Sequence, residues 1–235
     1  DEGKDQYAAQ DEERDSDAFL LHVMDADGSG IEQITYNQSH DINPTVLENG
    51  KILFSRWDNA GQTRNNGLNL YQINPDGTEL SYMYGRHSHD SGSDGSRVQF
   101  VKPRELENGN ILVQLREFAT DNFASQPTIV NVSGFVEHDV DIDGVAGEGQ
   151  TAVISGLNTD GDLSLNGTYG SFFPLYDGTN RYLVSWSICR VALVDDDPLT
   201  DGNQTGPAEV CTDDKINSNE YDAASPLYGL WVLDA

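Results

Sequence analysis

The stretch LENGKILFSR (Leu47–Arg56) returns 59 positions later as LENGNILVQLR (Leu106–Arg116). In both copies an Asn-Gly pair stands between a leucine and an aliphatic run. Asn-Gly between apolar runs marks a β-hairpin, because tight hairpin turns need positive φ, which Gly and Asn tolerate. Each copy is preceded by a proline-containing entry segment, NPTV at 43–46 and KPRE at 102–105. A looser third copy, FPLYDGTNRYLVSWSICR, covers 173–190 with Asp-Gly at the turn.

A second kind of hairpin alternates with the first. It reads LLHVMDADGSGIEQIT (20–35), then LNLYQINPDGTELSYM (68–83), and ends incompletely in YGLWVLDA (228–235). Helical periodicity is nearly absent, and short Val/Ile/Leu/Tyr/Phe runs alternate with Asn-Gly, Asp-Gly and Gly-Ser turns. Four-stranded antiparallel units repeated along a chain predict an all-β fold, a β-propeller. A β-sandwich with coincidental hairpins is the competing reading. The strands group as an outer hairpin, two whole units and three strands of another. About three blades fall short of the four to eight that close a propeller. The expectation is therefore an incomplete arc of a larger propeller, with the remaining blades in the same gene product or a second chain. Residues 1–17, DEGKDQYAAQDEERDSD, predict an acidic disordered tail. Residues 18–235 then form the propeller segment, with inserted loops at about 119–169 and 190–225.

VMDADGSGIEQIT (23–35) followed by INPTVLENGKILFSRWD (42–58) resembles the TolB-like propeller repeat. That repeat has a V-M-D-A-D-G-S-G hairpin followed by P-x-x-x-P-D-G-K-I-x-F-x-S. Here Glu48-Asn49-Gly50 stands where the family has Pro-Asp-Gly and keeps the glycine. YGRHSHDSGSDG (84–95) and NRYLVSWSICR (180–190) are similar to large secreted bacterial proteins that share the hydrazine synthase α-subunit middle domain. No haem-attachment motif accompanies them in this sequence.

With 13 basic against 40 acidic residues, the chain carries a net charge of −27. Such a surface repels nucleic acid and anionic membranes. No run of 18 apolar residues exists, so no helical membrane span is expected. Cys189 and Cys211 belong to no zinc or haem spacing and flank a turn-rich acidic segment. They are read as a disulfide, which implies an oxidising extracellular or periplasmic compartment.

Two segments carry alternating oxygen ligands. Asp139, Asp141 and Asp143 before Gly144 spell D-x-D-x-D-G, a calcium-loop pattern, with Glu148 as a further carboxylate because position twelve is Gln150. Asn158, Asp160, Asp162 and Ser164 repeat the spacing as a second calcium candidate. His87 and His89 form H-x-H, which with His40 as a third ligand could bind a transition metal. No G-x-S-x-G elbow and no phosphate-binding glycine loop are present. Trp57, Trp186 and Trp231 read as packing residues of the sheets.

Together these features predict a non-enzymatic, secreted or periplasmic scaffold for protein or ligand binding, stabilised by calcium. The alternative is a subunit of a metal-dependent or redox enzyme complex with a His-lined channel.

Overall fold

Five Asx-Gly dipeptides set the hairpins. In LENGK the Gly50 amide donates to Leu47 O (2.9 Å) and the Leu47 amide to Lys51 O (2.8 Å), with Gly50 at φ +83°. Gly28, Gly77, Gly109 and Gly178 also take positive φ. The residue before each glycine does not. In the first four hairpins the loop has three residues with glycine as the bulge, whereas Leu175 N donates to Arg181 O (3.0 Å) around a five-residue loop at Gly178. The Asx side chain contributes differently from the expectation. Asn49 Oδ1 accepts from Lys51 N (2.9 Å), Asn108 from Asn110, Asp27 from Ser29, Asp76 from Thr78 and Asp177 from Thr179. An Asx turn and a left-handed glycine together fix each hairpin.

A computed structural model of the chain describes residues 18–37, 39–58, 67–117, 125–159, 162–194 and 204–234. The expected tail, 1–17, lies outside the described residues. A short hairpin, β1 (His22–Val23) and β2 (Glu32–Gln33), comes first. A first four-stranded antiparallel sheet follows in sequence order: β3 (Asp41–Val46), β4 (Ile52–Trp57), β5 (Leu68–Ile73) and β6 (Ser81–Tyr84). The second sheet begins with β7 (Val98–Glu105), β8 (Ile111–Glu117) and β9 (Gln126–Val130). A hairpin of β10 (Phe135–Glu137) and β11 (Val140–Asp141) interrupts it before β12 (Gln150–Ala152) pairs with β9. The segment 119–169, expected as an inserted loop, thus contributes β9 and β12 to this sheet.

The third sheet pairs β13 (Thr168–Pro174) with β14 (Arg181–Ser187). The 190–225 insertion then folds as its own small sheet of β15 (Arg190–Leu193), β16 (Glu209–Val210) and β17 (Tyr221–Ala223). A one-turn helix, α1 (Asp213–Ile216), sits beside it, capped by Thr212. The Cys189–Cys211 disulfide closes this insertion, with Cα atoms 5.4 Å apart. Val191, Leu163, Ile216 and Tyr221 pack around it. Finally β18 (Gly229–Asp234) returns to pair with β14.

The sheets stack face to face, and period-two alternation assigns each side chain to one interface. In β4, Ile52 and Phe54 face the β1–β2 hairpin with Leu21 and Ile34. Leu53 turns the other way and joins Leu70 and Tyr84 against Phe100, Ile111, Val113 and Leu115 of the second sheet. The second sheet's opposite face, with Leu112 and Ile129, meets Phe172, Tyr182 and Val184 of the third. Burying each such side chain fully stabilises the fold by about 1.5–3 kcal/mol. The arrangement is all-β, antiparallel and propeller-like.

The third sheet breaks the pattern on its far face. Phe173, Leu183, Leu230 and Val232 alternate with the buried set and are 45%, 39%, 76% and 59% exposed. Trp231, expected as a packing residue, stands edge-on to Trp186 at 5.7 Å but is also more than half exposed.

Candidate functional site

The first strand of each sheet carries a bulge, between Ile42 and Thr45, Val101 and Arg104, and Tyr169 and Ser171. Asn43 and Lys102 occupy the first two in the left-handed region (φ +55° and +52°). Each precedes a proline, so the bulge stores strain of order 1 kcal/mol or more. The bulges link the sheets: Lys102 N donates to Asn43 Oδ1 (3.2 Å), and Lys102 Nζ donates to Gly170 O (2.6 Å) and Ser171 Oγ (2.8 Å). Burial, then the nearby Arg116 and Arg104, push the Lys102 ammonium below its usual pKa.

The histidines do not converge. His89 is buried, with Nδ1 2.7 Å from Val98 O and Nε2 2.9 Å from Asn69 Oδ1. Asn69 Nδ2 is committed to Asp58 Oδ2 (2.8 Å), which also accepts from Tyr71 Oη (2.8 Å). Both His89 ring nitrogens are therefore engaged within the fold. Burial, the larger effect, holds its pKa below the usual histidine value, against the opposing pull of the Val98 carbonyl on Nδ1. His40 Nδ1 accepts from Phe19 N (3.1 Å), and its ring stacks near Trp57. His87 is exposed.

The aspartate-rich turn is also spread out. Asp139, Asp141, Asp143 and Glu148 are all exposed. Asp141 Oδ1 accepts from Gly144 N (2.5 Å), and Asp143 and Gly144 both take positive φ. Of the second calcium set, Asn158 Nδ2 donates to Leu163 O and Ser164 Oγ to Gly156 O. Asp160 lies outside the described residues, and Asp162 is engaged. Among the described residues no three His, Cys, Asp or Glu side chains come together as a metal-ligating group.

Sequence reasoning missed Glu137. Its buried carboxylate accepts from Tyr82 Oη and Ser88 Oγ, and Ser88 Oγ in turn accepts from His138 N (3.0 Å). This clamp fastens the β10–β11 hairpin onto β6 and the histidine segment. The carboxylate and desolvation both raise the Tyr82 phenol pKa, desolvation most.

Concave surface gathers instead at the turn ends of the three sheets. One groove of about 480 Å³ is lined by Leu106, Ile129, Val153, Pro174 and Tyr182 on its apolar side and by polar residues including Glu107 and Arg181. Its neighbour, of about 420 Å³, is lined by Val46, Glu48, Glu105, Leu106, Glu107 and Tyr176. Leu106, Glu107 and Tyr176 belong to both. Glu105 pins the three turns together: its carboxylate accepts from Glu48 N (2.6 Å), and its carbonyl accepts from Tyr176 Oη (2.9 Å). Tyr176 is held at φ +52° to reach it. A pocket built from three distant hairpins leaves no contiguous motif, though two of those hairpins are the repeated LENG stretches.

No family's sequence profile matches the chain, and no curated protein matches it. Among solved structures it is similar to hydrazine synthase of Kuenenia stuttgartiensis, with a TM-score of 0.54 at 19% identity. The match covers 94% of this chain and 28% of that one, so the chain spans under a third of its neighbour's length. At that identity the likeness concerns the fold. No helix among the described residues is long and apolar enough to cross a membrane.

Proposed function

We propose that this chain is a section of a larger β-propeller with TolB-like repeats, secreted or periplasmic, that serves as a non-enzymatic binding scaffold. The observation that carries this reading is the uncovered far face of the third sheet. The equivalent apolar faces of the sheets before it are sealed by the next sheet, whereas Leu183, Leu230 and Val232 have no sheet packed over them among the described residues. Apolar faces of this kind mark an interaction surface. A further blade is the occupant that the stacking pattern fits. The greater length of the hydrazine synthase chain agrees with a larger assembly. The disulfide agrees with an oxidising compartment.

Calcium has a place in this reading as the ion that would draw Asp139, Asp141, Asp143 and Glu148 together in their exposed turn. The enzyme-complex alternative depends on His87, His89 and His40, and both ring nitrogens of His89 already have partners within the fold.

The test is self-association of the 235-residue chain, measured by light scattering and apolar-dye binding. Dye binding and concentration-dependent association are expected, both relieved by Leu183→Lys with Val232→Lys. A strictly monomeric chain that binds no dye would contradict the reading. Elemental analysis separates the alternative, since a stoichiometric transition metal lost in His89→Ala would favour the enzyme complex.

A further inference from the structure

The paired grooves at the turn ends are a binding site independent of the larger-propeller reading, because the three described sheets build them alone. We infer that they take a partner's peptide segment carrying a basic side chain close to an aliphatic one.

The smaller groove is lined by Glu48, Glu105 and Glu107 with Val46, Leu106 and Tyr176, and no basic residue is among its walls. The carboxylates of Glu48 and Glu107 have no hydrogen-bond or ion-pair partner among the described residues. Both are exposed and ready to meet a cation. Of the neighbouring cations, Arg181 and Lys51 are paired with carboxylates, whereas Arg104 rests on a carbonyl and an aromatic ring. Arg181 pairs with Asp177 and Thr179. Arg104 donates to Pro103 O (2.7 Å) and lies over the Phe173 ring at 5.8 Å. Lys51 is paired with Glu79 at 2.9 Å.

Apolar walls beside unpaired carboxylates suit the methylene stem and charged head of lysine or arginine. The adjoining groove shares Glu107 and is also lined by Arg181, whose charge is paired with Asp177. Leu106, Ile129, Val153, Pro174 and Tyr182 there offer a seat for a leucine-sized side chain. Tyr176 stands between the two as a shared wall, so one short segment can occupy both. Its left-handed backbone and its bond to Glu105 O fix that wall in advance. A site held ready in this way gives up less entropy on binding. The chain's net charge of −27 adds long-range attraction for a basic partner.

The probe is acetyl-Leu-Gly-Lys-amide titrated into the isotopically labelled protein, with acetyl-Leu-Gly-Glu-amide as the control. Chemical-shift changes are expected at amides of 105–109 and 175–182 with the lysine peptide, weakening as salt is raised. Glu48→Gln and Glu107→Gln lie on exposed turns and leave the thermal midpoint unchanged. Each is expected to weaken the lysine peptide about two- to fivefold, the range of one exposed ion pair. The inference is overturned if the two peptides bind alike, if the double Gln variant binds the lysine peptide undiminished, or if neither peptide shifts these amides at saturating concentration.

Discussion

Phe100→Ala measures how firmly the first two sheets are joined. The ring is fully buried and lies edge-on to Tyr84 (5.5 Å) and near His89 (5.6 Å). A Phe→Ala truncation in a core costs about 3–5 kcal/mol. The lost edge-to-face pair accounts for about 0.5–1.5 kcal/mol beyond the buried area. The site has little means of collapsing into the void. Gly85, at φ +116°, has its backbone directly against the ring, where an added Cβ would come 2.8 Å from Phe100 Cδ2. The neighbouring carbonyl of Phe100 is itself fixed by Ser55 Oγ (2.8 Å) across the interface. The upper half of the range is therefore expected, about 4–5 kcal/mol. With a urea slope of about 3 kcal/mol/M, the unfolding midpoint falls by about 1.3–1.7 M. Phe100→Leu, expected to cost about 1–2 kcal/mol, keeps the test readable if the alanine variant fails to fold. Leu183→Ala, on the uncovered face, serves as the control and is expected to cost under about 1 kcal/mol in this chain. The reasoning is refuted if Phe100→Ala shifts the midpoint no more than Leu183→Ala does.

Reducing the Cys189–Cys211 disulfide, whose ends are 22 positions apart in sequence, is expected to remove about 3 kcal/mol of loop-closure stabilisation. Proteolysis should then attack 190–225 first; cleavage beginning in the stacked sheets instead would contradict that placement. His89 should titrate below the usual histidine range by proton NMR, because burial disfavours its charged form. A base whose folded pKa is depressed contributes stability that is complete above the unfolded pKa and declines as pH falls towards the folded value. Stability should therefore fall on acidification below about pH 6.5, and His89→Gln should flatten that slope. A His89 that titrates at or above the ordinary value would count against its burial. Calcium at tenfold to hundredfold over its dissociation constant should stabilise by about 1.4–2.7 kcal/mol, read as a higher thermal midpoint that Asp141→Asn abolishes. An unchanged midpoint, or an equal rise in the variant, removes calcium from the proposal.

The sheets were legible because their punctuation is local. Gly50 and Gly109 are needed where φ turns positive, and Asn49 and Asn108 where an i+2 amide needs an acceptor, so the dipeptide alone reports the hairpin. The strands β10–β12 were not legible. Their runs, FVE, VD and QTA, are only two or three residues long, and they pair where β9 and the Glu137 clamp present a partner. The same limit applies to the sites. H-x-H at His87 and His89 reads as a ligand pair until Asn69 and Val98, neither adjacent in sequence to His89, are found on both of its nitrogens. The turn-end grooves join Glu48, Glu107 and Tyr176, which only the stacking of three sheets brings together.

The covered or uncovered state of the third sheet's far face decides whether this is part of a larger propeller. Both native cysteines are bonded to each other, so Val232→Cys introduces a single thiol on that face. Its maleimide labelling rate, compared between the 235-residue chain and the native assembled protein, reads the face directly. Rapid labelling in the chain and strong protection in the native protein is the expected result. Equally rapid labelling in both would mean that no blade covers Leu183, Leu230 and Val232, and the larger propeller would be ruled out.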